Sequence, residues 1–215
     1  MFLTIKKIPK VSWSSKKPLN LKPKVSTFLF LCFGLSLFGI GEGLLLVSYT
    51  GASPWSVLAQ GISLNIDYSI GTITFFISLF VIFLWVFLSQ KPGIGTILNA
   101  IIIAFMIDIC LNYVNTPDHI ITKNLLAFFA VLLVGIGSGF YLIANLGPGP
   151  RDGLMTGLQA KTKLPIALVR GFLEITVVSI GWYLGGTVGF GTLLFAFGVG
   201  PAVAFGLFLV KKIFS

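Results

Sequence analysis

The sequence predicts an all-α polytopic membrane protein, with about six transmembrane helices in two inverted repeats, each carrying a short Gly/Pro-headed half-segment. Three observations predict it. Apolar residues make up 56% of the 215 positions and charged residues only 10%, with a mean hydropathy of +1.00. Six apolar stretches are long enough to cross about 30 Å of hydrocarbon, which takes roughly 20 residues. Finally, the chain matches itself at an offset of 96 residues. A soluble domain carries about 25% charged residues, so a soluble globular enzyme is excluded, and so is a disordered chain.

Residues 1–24 read as a basic tail. Seven of the fifteen Lys/Arg lie there, at Lys6, Lys7, Lys10, Lys16, Lys17, Lys22 and Lys24. Ahead of an apolar span, such a cluster points to a cytoplasmic amino terminus and to anionic lipid, not to nucleic acid. The following stretch, 25–49, is too long for a signal peptide and no A-x-A site follows it, so an uncleaved first span is expected.

Gly51 and Pro54 close that span and open a short segment, 54–66. The next spans are 70–90 and 94–114, which complete a first membrane repeat over 25–114. A polar external loop covers 115–123. The second repeat, 124–212, holds spans 124–146, 164–184 and 192–210, with Gly147 and Pro150 opening a second short segment, 150–162. Residues 213–215 form the carboxyl-terminal end. With a cytoplasmic amino terminus, six spans place Lys91, Arg151, Lys161, Lys163, Lys211 and Lys212 inside and Asp67, Asp118, His119 and Lys123 outside. Eight spans would move Lys91 and Arg151 outside, so the positive-inside rule favours six.

The internal match is specific. Gly39, Ile40, Gly41, Gly43, Gly51, Pro54, Leu58 and Gly61 recur as Gly135, Ile136, Gly137, Gly139, Gly147, Pro150, Leu154 and Gly157. Of the 62 positions from Gly39 to Ala100, 18 are identical to their counterparts. Three crossings per repeat is an odd number, so the second copy enters from the opposite side, the layout of many secondary transporters. The glycine series around Glu42 lacks GxGxxG spacing and reads as close helix packing.

Each short segment begins with proline in its first turn, where free N–H groups suit an anion. Two readings stay open: half-helices dipping to membrane depth, or amphipathic helices lying on the surface. Arg170 and Glu174 sit one turn apart on span 164–184. Each costs roughly 2.5–3.5 kcal/mol near a helix centre, so the pair is expected to be buried, facing partners or water. Arg151 and Asp152 head the adjacent segment as their natural partners. Glu42 is expected near the outer end of its span, within reach of water, and Asp108 similarly. Arg151, Asp152, Arg170, Glu174, Glu42 and Ser56 are therefore the candidate substrate or ion site. A structural ion pair is the competing reading of Arg170 and Glu174.

Cys32 and Cys110 lie in apolar spans and His119 is the single histidine. No metal site, cofactor motif or catalytic cluster is expected, hence no enzyme.

The motif GPGPRDGLM at 147–155, together with Arg170, Glu174 and the run GWYLGGTVGFGTLLFAFGVGPAV at 181–203, resembles the YczE/YyaS/YitT group of small bacterial integral membrane proteins, most closely its YczE branch. The resemblance implies a bacterial cytoplasmic membrane location, with the lipid bilayer as surroundings, and no particular chemistry. In that group an Asp commonly follows Pro-Trp; here the position is Ser56. The leading functional expectation is a permease-like transporter of a small solute or ion, with both termini cytoplasmic. The alternative is a non-transporting accessory or scaffold protein. A homo-oligomer is compatible with either.

Overall fold

The computed structural model describes residues 8–214, and those residues contain helices and no strand. Lys6 and Lys7 of the basic tail, and Ser215, lie outside the described residues. Eight α-helices follow in order: α1 Val25–Val47, α2 Pro54–Ser63, α3 Ile70–Leu84, α4 Ile94–Tyr113, α5 Ile120–Ala144, α6 Pro150–Thr162, α7 Ile166–Tyr183 and α8 Phe190–Phe214. A 3₁₀ turn, Trp85–Leu88, extends α3. Six helices, all but α2 and α6, are long and apolar enough to cross a membrane.

Glycine sets the central packing. A Cβ on Gly34 would lie 2.8 Å from the Gly137 carbonyl oxygen, and one on Gly41 2.8 Å from that of Ala130. Backbones this close require small residues, the membrane substitute for hydrophobic association. Because 34 meets 137 while 41 meets 130, α1 and α5 run antiparallel. Gly39 meets Ile103 and Gly43 meets Cys110, so α1 and α4 run parallel; Gly135 meets Ala202 and Gly139 meets Gly206, so α5 and α8 do too. These directions are those of six crossings.

The two linkers match in detail. Gly51 and Gly147 have φ of +114° and +112°, a region open to glycine at little cost. Beside them, the Thr50 carbonyl accepts the Gly191 N–H at 2.8 Å, capping α8, and the Leu146 carbonyl accepts that of Gly95 at 2.7 Å, capping α4. Each linker thus closes an orphaned helix start in the other half of the chain.

Two expectations are revised. Helix α5 begins at Ile120, not near Asn124. No helix breaker separates His119 from the apolar run, so the helix continues through Thr122, Lys123 and Asn124, whereas hydropathy marks only its apolar part. The tail, in turn, is partly docked. Trp13 is buried, with its ring centroid 4.6 Å from Phe30 and 5.8 Å from Phe214. The Thr27 hydroxyl donates to the Trp13 carbonyl, and Asn145 donates to that of Ser15 at 2.9 Å. Lys16, Lys17, Lys22 and Lys24 around it stay exposed.

Candidate functional site

Helix α2 does not start at the level where α1 ends. Its first turn lies beside Glu42, five residues before the end of α1, which is about 7 Å at 1.5 Å per residue. Ser53 and Ser56 both donate to Glu42 Oε2 at 2.6 Å. From there α2 climbs until Gly61 meets Gly181 and Leu184 at the far end of α7. Helix α6 is placed likewise. Its Asp152 accepts the Tyr141 hydroxyl, and its later Gly157 meets Leu88 and Gln90 at the end of the α3 extension. Gly153 lets α6 press on the Trp85 ring, and Trp85 Nε1 donates to the Pro150 carbonyl at 3.0 Å. Both short helices therefore aim their amino termini inward. They meet there: the Arg151 guanidinium carbon lies 5.3 Å from the centre of the Trp55 ring, a cation–π contact. The surface-lying alternative does not describe this arrangement.

Around that meeting point is a cavity of about 460 Å³. Glu42, Arg151, Asp152, Arg170 and Glu174 all line it. Ser56 sits behind, fully buried against Glu42. The carboxylates of Glu42, Asp152 and Glu174 all act electrostatically on Arg151. Gly51, Pro54, Gly147 and Pro150 set the two helix starts and carry no chemistry of their own; Pro54 and Pro150 also form part of the cavity wall.

Two expectations about charge are corrected. Glu42 does not reach water: it is 0% exposed, and among the described residues its Oε1 has no hydrogen-bond partner. The close glycine packing of α1 against α4 and α5 closes off the path outward. Arg170 is not buried: its side chain is 45% exposed, while its Nε donates to Glu174 Oε1 at 2.8 Å. Helix α7 is peripheral, packed mainly along α2 and α6, so one flank of the pair is open. Asp108 stands apart from the site. It accepts Ser69 Oγ at 2.6 Å and the Gly71 N–H at 2.8 Å, joining α4 to the start of α3.

Sequence reasoning missed several members of the wall. Tyr141 orients Asp152, and Trp55 carries Arg151. Ser53, Thr74, Ser78 and Asn99 add polar groups. One clue was available for Tyr141. The other four of the five tyrosines, Tyr49, Tyr68, Tyr113 and Tyr183, fall at helix ends and are exposed there, as interfacial aromatics are. Tyr141 is the exception. Among the described residues, no group of three or more His, Cys, Asp or Glu is placed to hold a metal ion.

The chain is similar to several bacterial proteins. An uncharacterised protein of Haemophilus influenzae is 39% identical over 209 residues, covering 97% of this chain and 95% of the relative. The uncharacterised membrane protein YczE of Bacillus subtilis is 33% identical over 181 residues, covering 83% and 81%. The uncharacterised protein YyaS of the same organism is 25% identical over 171 residues, covering 78% and 85%. No solved structure matches. The model of a family of unknown function, DUF6198, matches residues 25–207, and the chain, a membrane protein, belongs to that family.

Proposed function

We propose that the protein is a permease-like secondary transporter of a small solute or ion in the bacterial cytoplasmic membrane. Both termini are cytoplasmic, the halves are related by inverted topology, and no covalent chemistry is performed. One observation carries the reading: two half-helices converge amino terminus to amino terminus on a single cavity lined by five ionisable side chains. Broken backbone and buried charge at membrane depth are costly and are retained where a polar solute must be met. The antiparallel pairing of α1 with α5 and the reciprocal capping by the two linkers support inverted topology. In such a layout each half rocks against the other around a fixed site.

The cavity offers polar groups of both signs. Glu42 Oε1 is an unmatched acceptor, and among the described residues no hydrogen bond reaches the Arg151 guanidinium. A thermal-shift screen of the purified protein against ions and metabolites tests the reading, since a bound solute stabilises the fold by about RT ln(1 + [L]/Kd). A hit must weaken in Arg151→Gln and must cross the bilayer of proteoliposomes made with the wild type. A screen hit that is bound but never moved would contradict transport.

A further inference from the structure

The cavity does not close on all sides, and the reason can be read residue by residue. At the 96-residue offset, α3 corresponds to α7 and α4 to α8. Helices α3 and α4 pack closely, whereas α8 packs along α5 and no comparable contact joins it to α7. The first seam is clasped by Asp108, which holds both Ser69 and the Gly71 N–H, and a Cβ on Gly71 would sit 2.2 Å from the Ala104 carbonyl oxygen. The corresponding residues of the second seam are Ala204, Pro165, Ala167 and Gly200. None of these can rebuild the clasp: alanine offers no acceptor, and proline no hydroxyl. A Cβ on Gly200 would meet nothing within 4 Å.

This seam lies at membrane depth and leads into the charged cavity. Glu174 is near the middle of α7, and Val199, Gly200 and Val203 near the middle of α8; all four line the cavity. One wall of the seam is thus small and apolar. Behind it stand Arg151, with no hydrogen-bonded acceptor among the described residues, and Arg170, whose side chain is 45% exposed and bonded only through Nε. The acids each hold at least one donor: Glu42 takes two serine hydroxyls through Oε2, its Oε1 having no partner among the described residues, Asp152 takes the Tyr141 hydroxyl and Glu174 the Arg170 Nε. No carboxylate of the wall is hydrogen-bonded to the Arg151 guanidinium among the described residues, and a planar guanidinium fork matches carboxylate or phosphate.

We infer that the site takes an amphiphile from the bilayer: an anionic carboxylate or phosphate head seated at Arg151 and Arg170, and an apolar chain lying in the α7–α8 seam. This rests on the transporter reading and names its substrate class. A solute that enters sideways needs no aqueous funnel, and its chain covers the seam that the sequence leaves unclasped.

The test uses full-length protein in non-ionic detergent and three probes: dodecyl phosphate, inorganic phosphate as the head alone, and dodecanol as the chain alone. Dodecyl phosphate at a hundredfold excess over its Kd is expected to raise the melting temperature by roughly 5–10 °C, with little effect of the other two. Arg151→Lys, which keeps the charge but not the fork, and Gly200→Trp, which fills the mouth of the seam, are each expected to weaken dodecyl phosphate at least tenfold. Both variants are first required to elute and melt as folded protein; if Gly200→Trp does not, Gly200→Leu replaces it. Stabilisation by inorganic phosphate equal to that by dodecyl phosphate would overturn lateral entry and leave the transporter reading standing. Equal stabilisation by dodecanol, insensitivity to both variants, or no binding of dodecyl phosphate would overturn the inference outright. So would efficient cross-linking of Gly200→Cys between copies in membranes, since a second copy would then fill the seam.

Discussion

Glu42→Ala is the most informative single change, because it separates hydrogen bonding from packing at the cavity wall. Glu42 is fully buried and its Oε2 accepts from Ser53 and Ser56 at 2.6 Å each. Alanine removes this shared acceptor and with it both hydrogen bonds. Ser53 can still donate to Ser56 at 3.0 Å, so one hydroxyl, that of Ser56, is left without an acceptor. Hydrogen bonds to charged groups are worth about 1.5–3 kcal/mol in soluble proteins, whereas side-chain bonds inside a membrane average about 0.6 and reach about 1.7. The membrane figures govern here, so two lost bonds cost about 1–3 kcal/mol. For a chain of this size, 1 kcal/mol is roughly 2–4 °C, which predicts a fall in melting temperature of about 2–12 °C in detergent. Glu42→Gln keeps the shape and one acceptor oxygen and is expected to lose under about 4 °C. Adding Ser53→Ala and Ser56→Ala to Glu42→Ala should restore part of the loss, since no buried hydroxyl then lacks a partner. If Glu42→Gln melts as low as Glu42→Ala, or if removing the serines deepens the loss, the hydrogen-bond account is wrong.

Four further outcomes are expected. Trp13→Ala should cost about 3–5 kcal/mol, because its buried ring joins Phe30, Phe140 and Phe214, and limited trypsin digestion should then cut faster after Lys16, whereas Lys17 is followed by Pro18 and resists trypsin in either form. Asp108→Ala should lower the melting temperature by roughly 3–10 °C by opening the α3 clasp, while leaving thermal-shift binding at the cavity in place. Glu174→Gln should shift melting by no more than about 4 °C, since an ion pair with one member 45% exposed is worth at most about 1 kcal/mol; a larger loss would mean the pair is covered in the membrane. Single cysteines at 91, 118 and 161 in a cysteine-free background should label with an impermeant reagent from opposite faces, 118 on one and 91 and 161 on the other; labelling of all three from one face would sink the six-span topology.

Much of the fold was legible because bilayer physics leaves few choices. Twenty apolar residues must span, and a span without charge has no other place to go. The six long helices follow from that alone, and the opening of α2 and α6 at Pro54 and Pro150 follows from the fit of proline to a first helical turn. Depth was not legible. Segment 54–66 is apolar enough to lie on a surface or dip beneath it, and only the contacts of Ser53 and Ser56 with Glu42 place it. The same contacts explain why Glu42 was misjudged: five residues from the end of α1 reads as reachable by water until a half-helix is folded over it. Arg170 was misjudged in the opposite sense, because composition says that two charges need cover but not that their helix is peripheral. The docking of Trp13 depends on Phe140 and Phe214, more than a hundred residues away, and no local pattern announces it.

The two halves of the sequence differ in a way that itself argues for a site. Positions that hold backbone are kept: Gly51 and Gly147, Pro54 and Pro150, Gly93 and Gly189, Gly95 and Gly191, Thr96 and Thr192. Apart from the two prolines, paired positions that face the cavity are not. Trp55 stands opposite Arg151, Thr74 opposite Arg170, Ser78 opposite Glu174, Asn99 opposite Phe195 and Glu42 opposite Ser138, and all ten line the cavity. A chain needing only stable packing has no reason to diverge where the packing is loosest and the charge most costly. The divergence also has a direction. Four of the five ionisable residues, Arg151, Asp152, Arg170 and Glu174, belong to α6 and α7, beside the unclasped seam, and the first half answers them with one carboxylate, hydroxyls, an amide and an aromatic face. Pseudo-symmetric halves with identical linings would hold a symmetric solute equally well in two orientations. On the proposed reading a polar head lies against α6 and α7 and the apolar side chains of Phe195, Val199 and Val203 on α8 meet the remainder of the molecule, so a ligand of that class would be held in one orientation.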